Sequence, residues 1–457
     1  MMTPAIDPVA LADLSARFSG ALLSPNDPGY DDARRIHNGM IDRRPALIAR
    51  CRGTADVVDV VTLARRQGLE LAVRGGGHSL AGHAVCDGGV MCDLSLMKGV
   101  YVDPARLTVR AQGGVTWREL NRETQAHGLA VTGGVISTTG IAGLTLGGGL
   151  GWLMGKHGLA LDNLLSAEVI TSAGDKLKAS QDEDADLFWA LRGGGGNFGV
   201  VSSFEYRLHP LGPVTSGLVA HPVARARDVL RVFRDAAQSA PDDLTLFGGL
   251  LHAPDGSGTR LAAIVACHSG ALAEGETMLS QIKTFGAPVL DTIGRTSYEA
   301  TNMMLDAGFP RGALAYWKST FLAELSDTAI DTLISAFADC PSPMSSLIVE
   351  QFHGAAARVG IGDTAFPHRR RAFNLLINSE WLDSADNARN IAWARRAYDA
   401  MRPHSAGASY VNYMSHDERE NPAEVAYGPN LPRLRALKSR YDPSNLFHLN
   451  HNIRPDP

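Results

Sequence analysis

Arg74-Gly75-Gly76-Gly77-His78-Ser79 follows a short apolar strand, Leu69 to Val73. Glycines in a row let backbone amides approach a ligand with no side chain between, and they accept positive φ. Such amides form a concave anion site, and Arg74 adds a fixed positive charge. His78 comes next, close to where the anion would lie. A glycine turn with an ordinary loop histidine would read the same over six residues. Two further clusters, Gly134 to Gly151 and Gly193 to Gly199, shift the balance. Together they predict a backbone-lined groove for a large ligand. One apparent motif is set aside. Gly194-Gly195-Gly196-Asn197-Phe198-Gly199 matches G-x-G-x-x-G, but it follows a helical stretch (Leu187 to Leu191) and precedes a strand. A dinucleotide fingerprint needs the reverse order.

The elements that must position these loops are short. Residues 8–18 read as an amphipathic helix. Thr54 opens a helix over Ala55 to Gln67, which Gly68 closes. Val90–Leu94, Val100–Val102 and Leu107–Gln112 read as strands. Thr116-Trp117-Arg118-Glu119 is a capping box for a helix ending at Gly128. Ala173-Gly174-Asp175 is a hairpin turn between Ala167–Ser172 and Lys176–Ala179. Asp184 to Arg192 is helical and Val200–Leu208 a strand. The order lacks the regular βαβ alternation of a doubly wound sheet, so an α+β unit is expected. Pro210 to Pro213 marks a boundary. Beyond it, Leu244–Leu251, Leu261–His268, Ala315–Phe321, Leu347–Phe352 and Ala372–Trp381 read as strands. Ala271–Phe285, Asp327–Asp339 and Ser384–Met401 read as helices. This predicts an antiparallel sheet with helices on one face.

Composition narrows the class. A chain of 457 residues predicts two domains. The net charge of −5, without basic blocks, argues against nucleic acid. Five cysteines without a C-x-x-C pair predict neither a zinc site nor a disulfide framework, and no metal is expected. Met1 to Arg17 lacks the pattern of a secretory leader, and no run of about 20 apolar residues exists to span a membrane. A cytoplasmic protein with a small-molecule partner is expected, and a homodimer is compatible with this reading.

Four ordered motifs then carry a resemblance over nearly the whole chain: the His78 loop, Gly134-Val135-Ile136-Ser137-Thr138-Thr139-Gly140 leading to Gly147-Gly148-Gly149-Leu150-Gly151-Trp152, the stretch Gly193 to Val200, and Tyr441-Asp442-Pro443-Ser444-Asn445-Leu446-Phe447. They resemble the vanillyl-alcohol-oxidase superfamily, and within it the bacterial type of berberine-bridge-enzyme-like FAD oxidases. The resemblance implies a two-part PCMH-type FAD-binding domain over 1–212 (core about 40–211). It further implies a substrate domain over 213–405, and a segment 406–457 returning to the first domain. It implies FAD joined covalently from His78 to the flavin 8α-methyl, which suits a neutral imidazole nucleophile. Many relatives add a cysteinyl link four residues before a glycine. Here that glycine is Gly140 and the position holds Ile136, so no second link is expected. The implied cofactor contacts are Arg74, Gly75, Gly76, Gly77, His78 and Ser79 in the first loop, then Gly134, Ser137, Thr138, Thr139, Gly140, Gly143, Gly148 and Trp152. Gly199, Val200, Asn450 and Asn452 complete the set. Thr139 matches a position that gates oxygen beside the flavin. His157, Asp162 and Asn163 are expected near the ribityl and pyrophosphate groups.

For the substrate side, period-two geometry leaves two faces open on Leu347 to His353. Val349, Gln351 and His353 share one, and Ile348, Glu350 and Phe352 share the other. Two polar residues favour the first, with Glu350 as the competitor. Asn374 and Asn378 share a face on the next strand. Asn378 matches the position where the plant berberine-bridge enzyme places a catalytic Glu. Tyr316 and Trp317 are candidate aromatic walls. His368-Arg369-Arg370-Arg371 reads as a solvated basic run. Tyr410-Val411-Asn412 matches a family element whose Tyr often serves as base over the flavin. A phenol titrates near ~10, and a cationic or hydrogen-bonded setting is expected to lower that value. Tyr413 is the reserve candidate. The resemblance thus implies oxidation of a small or medium alcohol, amine or natural-product intermediate by hydride transfer to flavin N5, with O₂ giving H₂O₂. An oxygenase using a flavin–oxygen adduct, as in the enterocin pathway, and a flavin carrier without turnover are the alternatives.

Overall fold

Two apolar strands, Leu47–Arg50 and Leu71–Arg74, pair in parallel with Val90–Asp93 between them, and Ala21–Leu23 adds an antiparallel edge. Parallel neighbours need a crossover. Helix Thr54–Gln67 supplies it, burying Val57, Val60, Val61 and Leu63, and Gly68 ends it at φ +62°. The His78 loop leaves the end of Leu71–Arg74 and is thereby fixed to this sheet. The structure is a computed structural model that describes residues 6–418 and 421–456. Met1 to Ala5, part of the stretch read for a leader, lies outside the described residues.

A second sheet is wholly antiparallel, in the order Val100–Asp103, Thr108–Gln112, Val200–Arg207, Leu164–Ile170, Lys176–Ser180. The capping box forms as expected: the Thr116 amide donates to Glu119 Oε2 at 2.8 Å, and helix Trp117–Gln125 begins there. The first amides of that helix have no intrahelical partner. They donate instead to the second glycine cluster, Trp117 N to Thr139 O at 3.0 Å and Arg118 N to Ser137 O at 2.8 Å. Buried Trp117 packs against Gly133 and Gly134. The helix therefore holds the Ser137–Thr139 loop in place.

The third sheet has eight strands, all antiparallel. Its strands run in the order Arg260–His268, Leu244–His252, Ser346–Gln351, Phe373–Trp381, with Leu314–Leu322 at the edge. Val214–Pro222 opens the sheet directly after the proline boundary. Helices Ala226–Ser239, Leu272–Thr284, Asp327–Ala338 and Asn387–Met401 cover one face through a core that includes Phe233, Leu333, Phe373 and Trp393. The other face turns toward the glycine loops. The chain end then packs back on the second sheet. Leu434 and Tyr441 of helix Leu431–Tyr441, with Ile453, share one core with Val109 and Phe204. Among the described residues no helix is long and apolar enough to cross a membrane.

Candidate active site

Where the open face of the third sheet meets the glycine loops, a cavity of ≈ 290 Å³ forms. Gly75, Gly76 and Gly77 line it from the first loop, Gly140 and Gly143 from the second, and Gly195, Gly196 and Gly199 from the third. All three clusters therefore meet in one groove. The approach of the first two is close: a Cβ on Gly76 would stand 2.4 Å from Gly140 Cα. A Cβ on Gly143 would meet nothing within 4 Å, because that position opens into the cavity. Gly77 has φ +75° and Gly195 φ +69°, a region that favours glycine.

His78 stands on the wall. Its Nε2 is 3.0 Å from Thr138 Oγ1 and its Nδ1 3.4 Å from Thr139 Oγ1. Its ring stacks on His37, with centroids 3.9 Å apart and planes 22° apart. Burial holds its pKa well below the ordinary value, with the neighbouring His37 and Arg311 adding to that. The imidazole is neutral at physiological pH. One buried polar atom on the cavity lining, His83 Nε2, has no protein partner, whereas Asn452, expected at the cofactor, does not line the cavity. Bare peptide, a neutral imidazole and an orphaned polar atom on the lining fit FAD as the ligand. Arg74 departs from expectation. Its guanidinium donates to Ala33 O and faces Asp93 at 3.9 Å, so its charge is spent outside the cavity.

Tyr410, Tyr413 and Glu350 add a second group of titratable side chains to the lining. Tyr410 Oη accepts from Gly149 N at 2.8 Å, Leu150 N at 3.4 Å and Asn412 Nδ2 at 2.8 Å. The Gly147-Gly148-Gly149 turn allows this approach, since a Cβ on Gly148 would stand 2.8 Å from the Tyr410 ring. Burial nevertheless pushes the phenol up to about 12, and the three donors pull against it. The lowered value expected from sequence is not found. Glu350 faces the cavity and is buried. It accepts from Asn374 Nδ2 at 2.7 Å and from Tyr413 Oη at 2.9 Å. Burial pushes its carboxyl up to about 7. Among the described residues no lysine or arginine pairs with it. Phe247, Phe309, Trp317, Ile348 and Leu376 make the remaining walls apolar.

The strand Ser346–Gln351 thus presents Ile348 and Glu350 to the cavity, not Val349, Gln351 and His353. Gln351 bridges Leu246 N and Ala237 O under the helices, and His353 lies against Gly155 and Pro241 O. The polar character of that face serves backbone groups at the sheet's covered side. Trp317 reaches the cavity, whereas Tyr316 points to the helices and donates to Asp417. Asn374 acts through Glu350. Asn378 shares that face without lining the cavity; it donates to Ser346 Oγ at 3.3 Å. The carboxylate that reaches the site is Glu350, on the neighbouring strand.

Several residues expected at the cofactor stand behind the wall. Ser137 is tied to Asp306, Trp152 packs on Phe247 at 4.7 Å between centroids, and Val200 belongs to the core around Val57. Thr139, Gly134, Ser79 and Asn450 do line the cavity. His157 stacks on His209, Asn163 donates to His157 O, and Asp162 pairs with Arg369, so none of the three lines it. The Arg369 pairing also corrects the solvated reading of the basic run: Arg369 and His368 are buried. His37, His83 and His451 were not singled out from sequence, and no local signal marks them.

Comparisons with known proteins agree with this geometry. Residues 45–180 match the family described as FAD binding domain, and residues 409–454 match the family described as Berberine and berberine like. (R)-6-hydroxynicotine oxidase of Paenarthrobacter nicotinovorans is 33% identical over 96% of this chain and 97% of its own. A FAD-linked oxidoreductase of Dictyostelium discoideum is 30% identical over 90% and 89%. The crystal structure of 6-hydroxy-D-nicotine oxidase from Arthrobacter nicotinovorans matches with a TM-score of 0.87 at 30% identity, covering 100% of both chains. BBE-like 1 of Physcomitrella patens shares the fold at a TM-score of 0.87 and 22% identity, over 98% and 99%. The chain belongs to the berberine-bridge-enzyme-like family of FAD-linked oxidoreductases.

Proposed function

We propose that this oxidoreductase carries FAD on one covalent bond, from His78, and oxidises a small or medium organic substrate at a C–OH or C–N carbon, passing the electrons to O₂ to give H₂O₂. Bound FAD supplies the two-electron acceptor, taking hydride at N5. The chain's own residues orient the substrate, exclude water and move one proton.

Tyr410, in its phenolate form, takes the hydroxyl or amine proton. The observation that carries this reading is the set of three N–H donors converging on its oxygen at the cavity wall. A neutral phenol has one proton to give and two lone pairs to accept with. Three donors suit the phenolate better and offset part of the burial penalty. Glu350, with a carboxyl that ionises near neutrality, is the second proton-accepting group, and Tyr413 and Asn374 fix its orientation. The apolar walls keep solvent from these groups. A neutral His78 keeps a ring lone pair for the bond to the flavin, and Ile136 leaves no thiol for a second one. The relatives named as oxidases support O₂ as acceptor. The same reading assigns 1–212 and 406–457 to the cofactor and 213–405 to the substrate.

Tyr410→Phe tests the base. The variant is expected to keep yellow colour on the acid-precipitated protein while flavin reduction by substrate slows roughly 100-fold or more. An unchanged rate rejects Tyr410 as base, and colour released into the acid supernatant rejects the His78 bond. Label from ¹⁸O₂ in the product, in place of stoichiometric peroxide, replaces the oxidase with an oxygenase.

A further inference from the structure

The covalent bond proposed above needs its nucleophilic ring held still, and the fold brings a second imidazole to do this. His37 lies on His78 face to face, 3.9 Å between centroids and 22° between planes. It is buried and lines the same cavity. The residues around it are anchored on both sides. His37 N donates to Gly77 O at 2.8 Å, immediately before His78. Asn38 Nδ2 donates to Leu80 O at 3.0 Å, two residues after it. The same side chain reaches the third sheet: Nδ2 donates to Ala315 O at 2.9 Å, and Oδ1 accepts from Ala315 N at 3.1 Å. Gly312 N donates to His37 O at 2.9 Å. His37 and Asn38 therefore bracket the His78 turn and tie it to the strand Leu314–Leu322. Gly75 to Gly77 give His78 no side-chain support from its own loop; the Thr138 and Thr139 hydroxyls hold the ring's edge at Nε2 and Nδ1, and the His37 stack holds its face.

We propose that His37 is a positioning residue for flavin attachment, clamping the His78 ring in the plane from which it reacts. The inference rests on the His78 bond of the proposed function. Attachment joins a His78 ring nitrogen to the flavin 8α-carbon. One C–H and one N–H bond break, two protons leave, and the two electrons left on the cofactor pass to O₂, so that the methyl flavin, histidine and O₂ give the linked flavin and H₂O₂. A protonated His78 could not start this step. Burial opposes a charge on either ring, and at His78 the neighbouring His37 adds to the effect. Fixing the ring plane removes rotational freedom that the reaction would otherwise have to overcome.

The test reads attachment, not turnover. Freshly made apoprotein is mixed with FAD and oxygen, and flavin fluorescence on the denatured polypeptide is followed with time. His37→Ala is expected to bind FAD reversibly and to attach it at least tenfold more slowly than wild type. His37→Phe, which keeps a flat ring without a titratable nitrogen, is expected within about threefold of wild type. His37→Gln, polar but without a ring, is expected to behave like His37→Ala. Attachment at the wild-type rate in His37→Ala overturns the proposal. So does failure of His37→Phe alongside normal attachment in His37→Gln, because the nitrogen and not the stack would then matter. Loss of reversible FAD binding in all three variants also overturns it, showing a purely structural role. Wild-type protein that never retains flavin after denaturation overturns the His78 bond itself, which separates that failure from the others.

Discussion

Glu350 is caught between two demands on a single side chain. Burial asks for a neutral carboxyl, yet both protein partners, Asn374 Nδ2 and Tyr413 Oη, donate to it. The balance leaves its pKa at about 7, above the ordinary 4.5. The sign of the stability effect follows. Between those values the unfolded chain has released the proton and the native protein has not, so stability falls as pH rises toward about 7. Above that, native Glu350 is ionised, buried and without a cationic partner among the described residues. Glu350→Gln is expected to match wild type near pH 4 and to exceed it above pH 7 by roughly 3 kcal/mol. Urea midpoints at the two pH values check this, and equal midpoints at both would remove the conflict. Stability given up at a buried ionisable group is a common signature of a functional site. Sequence alternation grouped Glu350 with Ile348 and Phe352 but could not say which face was wet. Gln351 and His353 looked like the pocket pair because polar side chains normally seek water. Here they satisfy backbone groups beneath the covering helices, which no local pattern reveals.

At the scale of elements, the three glycine clusters were legible because glycine is conspicuous wherever backbones must approach. Their pairing was not, since Gly76 and Gly140 are joined only through the sheet and the capped helix Trp117–Gln125. The contrast between two glycines is a sharp check on that architecture. A Cβ on Gly76 would stand 2.4 Å from both Cα and N of Gly140, backbone atoms that have nowhere to move. Gly76→Ala is expected to destabilise by about 1–3 kcal/mol and to lose flavin. Gly143 lies in helix Ile141–Gly147, and its added methyl would meet only open cavity. Gly143→Ala is expected to be as stable as wild type or up to about 1 kcal/mol more so, yet as apoprotein to bind FAD at least tenfold more weakly before attachment. Thermal melts with and without FAD separate the cases. If Gly143→Ala binds FAD normally, the cavity does not take the cofactor along that wall. The helix Ala226–Ser239 shows the opposite legibility. Its buried Val229, Leu230, Phe233 and Ala237 form an ordinary helical stripe, obscured by the arginines between them.

Across the whole molecule, the glycine-rich half and the large sheet are tied by contacts between residues far apart in the chain, and these were the least visible in sequence. Arg369 sits in a run of basic residues that reads as a solvated surface. In the fold it is fully buried, and it grips Asp162, 207 positions away, with two bonds of 2.8 Å. It also donates to Ala356 O at 3.1 Å and Thr364 Oγ1 at 2.9 Å, and its guanidinium lies over Phe366. Phe366 in turn meets the edge of Tyr410, at 6.1 Å between centroids. The bridge therefore fixes one side of the cavity around Tyr410 as well as the seam. Removing one member of a buried ion pair leaves the other charge uncompensated, typically at 3–5 kcal/mol. Arg369→Met is expected to lose about that much, and Asp162→Leu a similar amount. The double variant is expected to recover a large part of the sum, because it leaves no lone buried charge. Urea midpoints for the four proteins of this cycle read the coupling directly. Simple additivity would mean that the two side chains act independently, and that the halves are held by apolar packing alone.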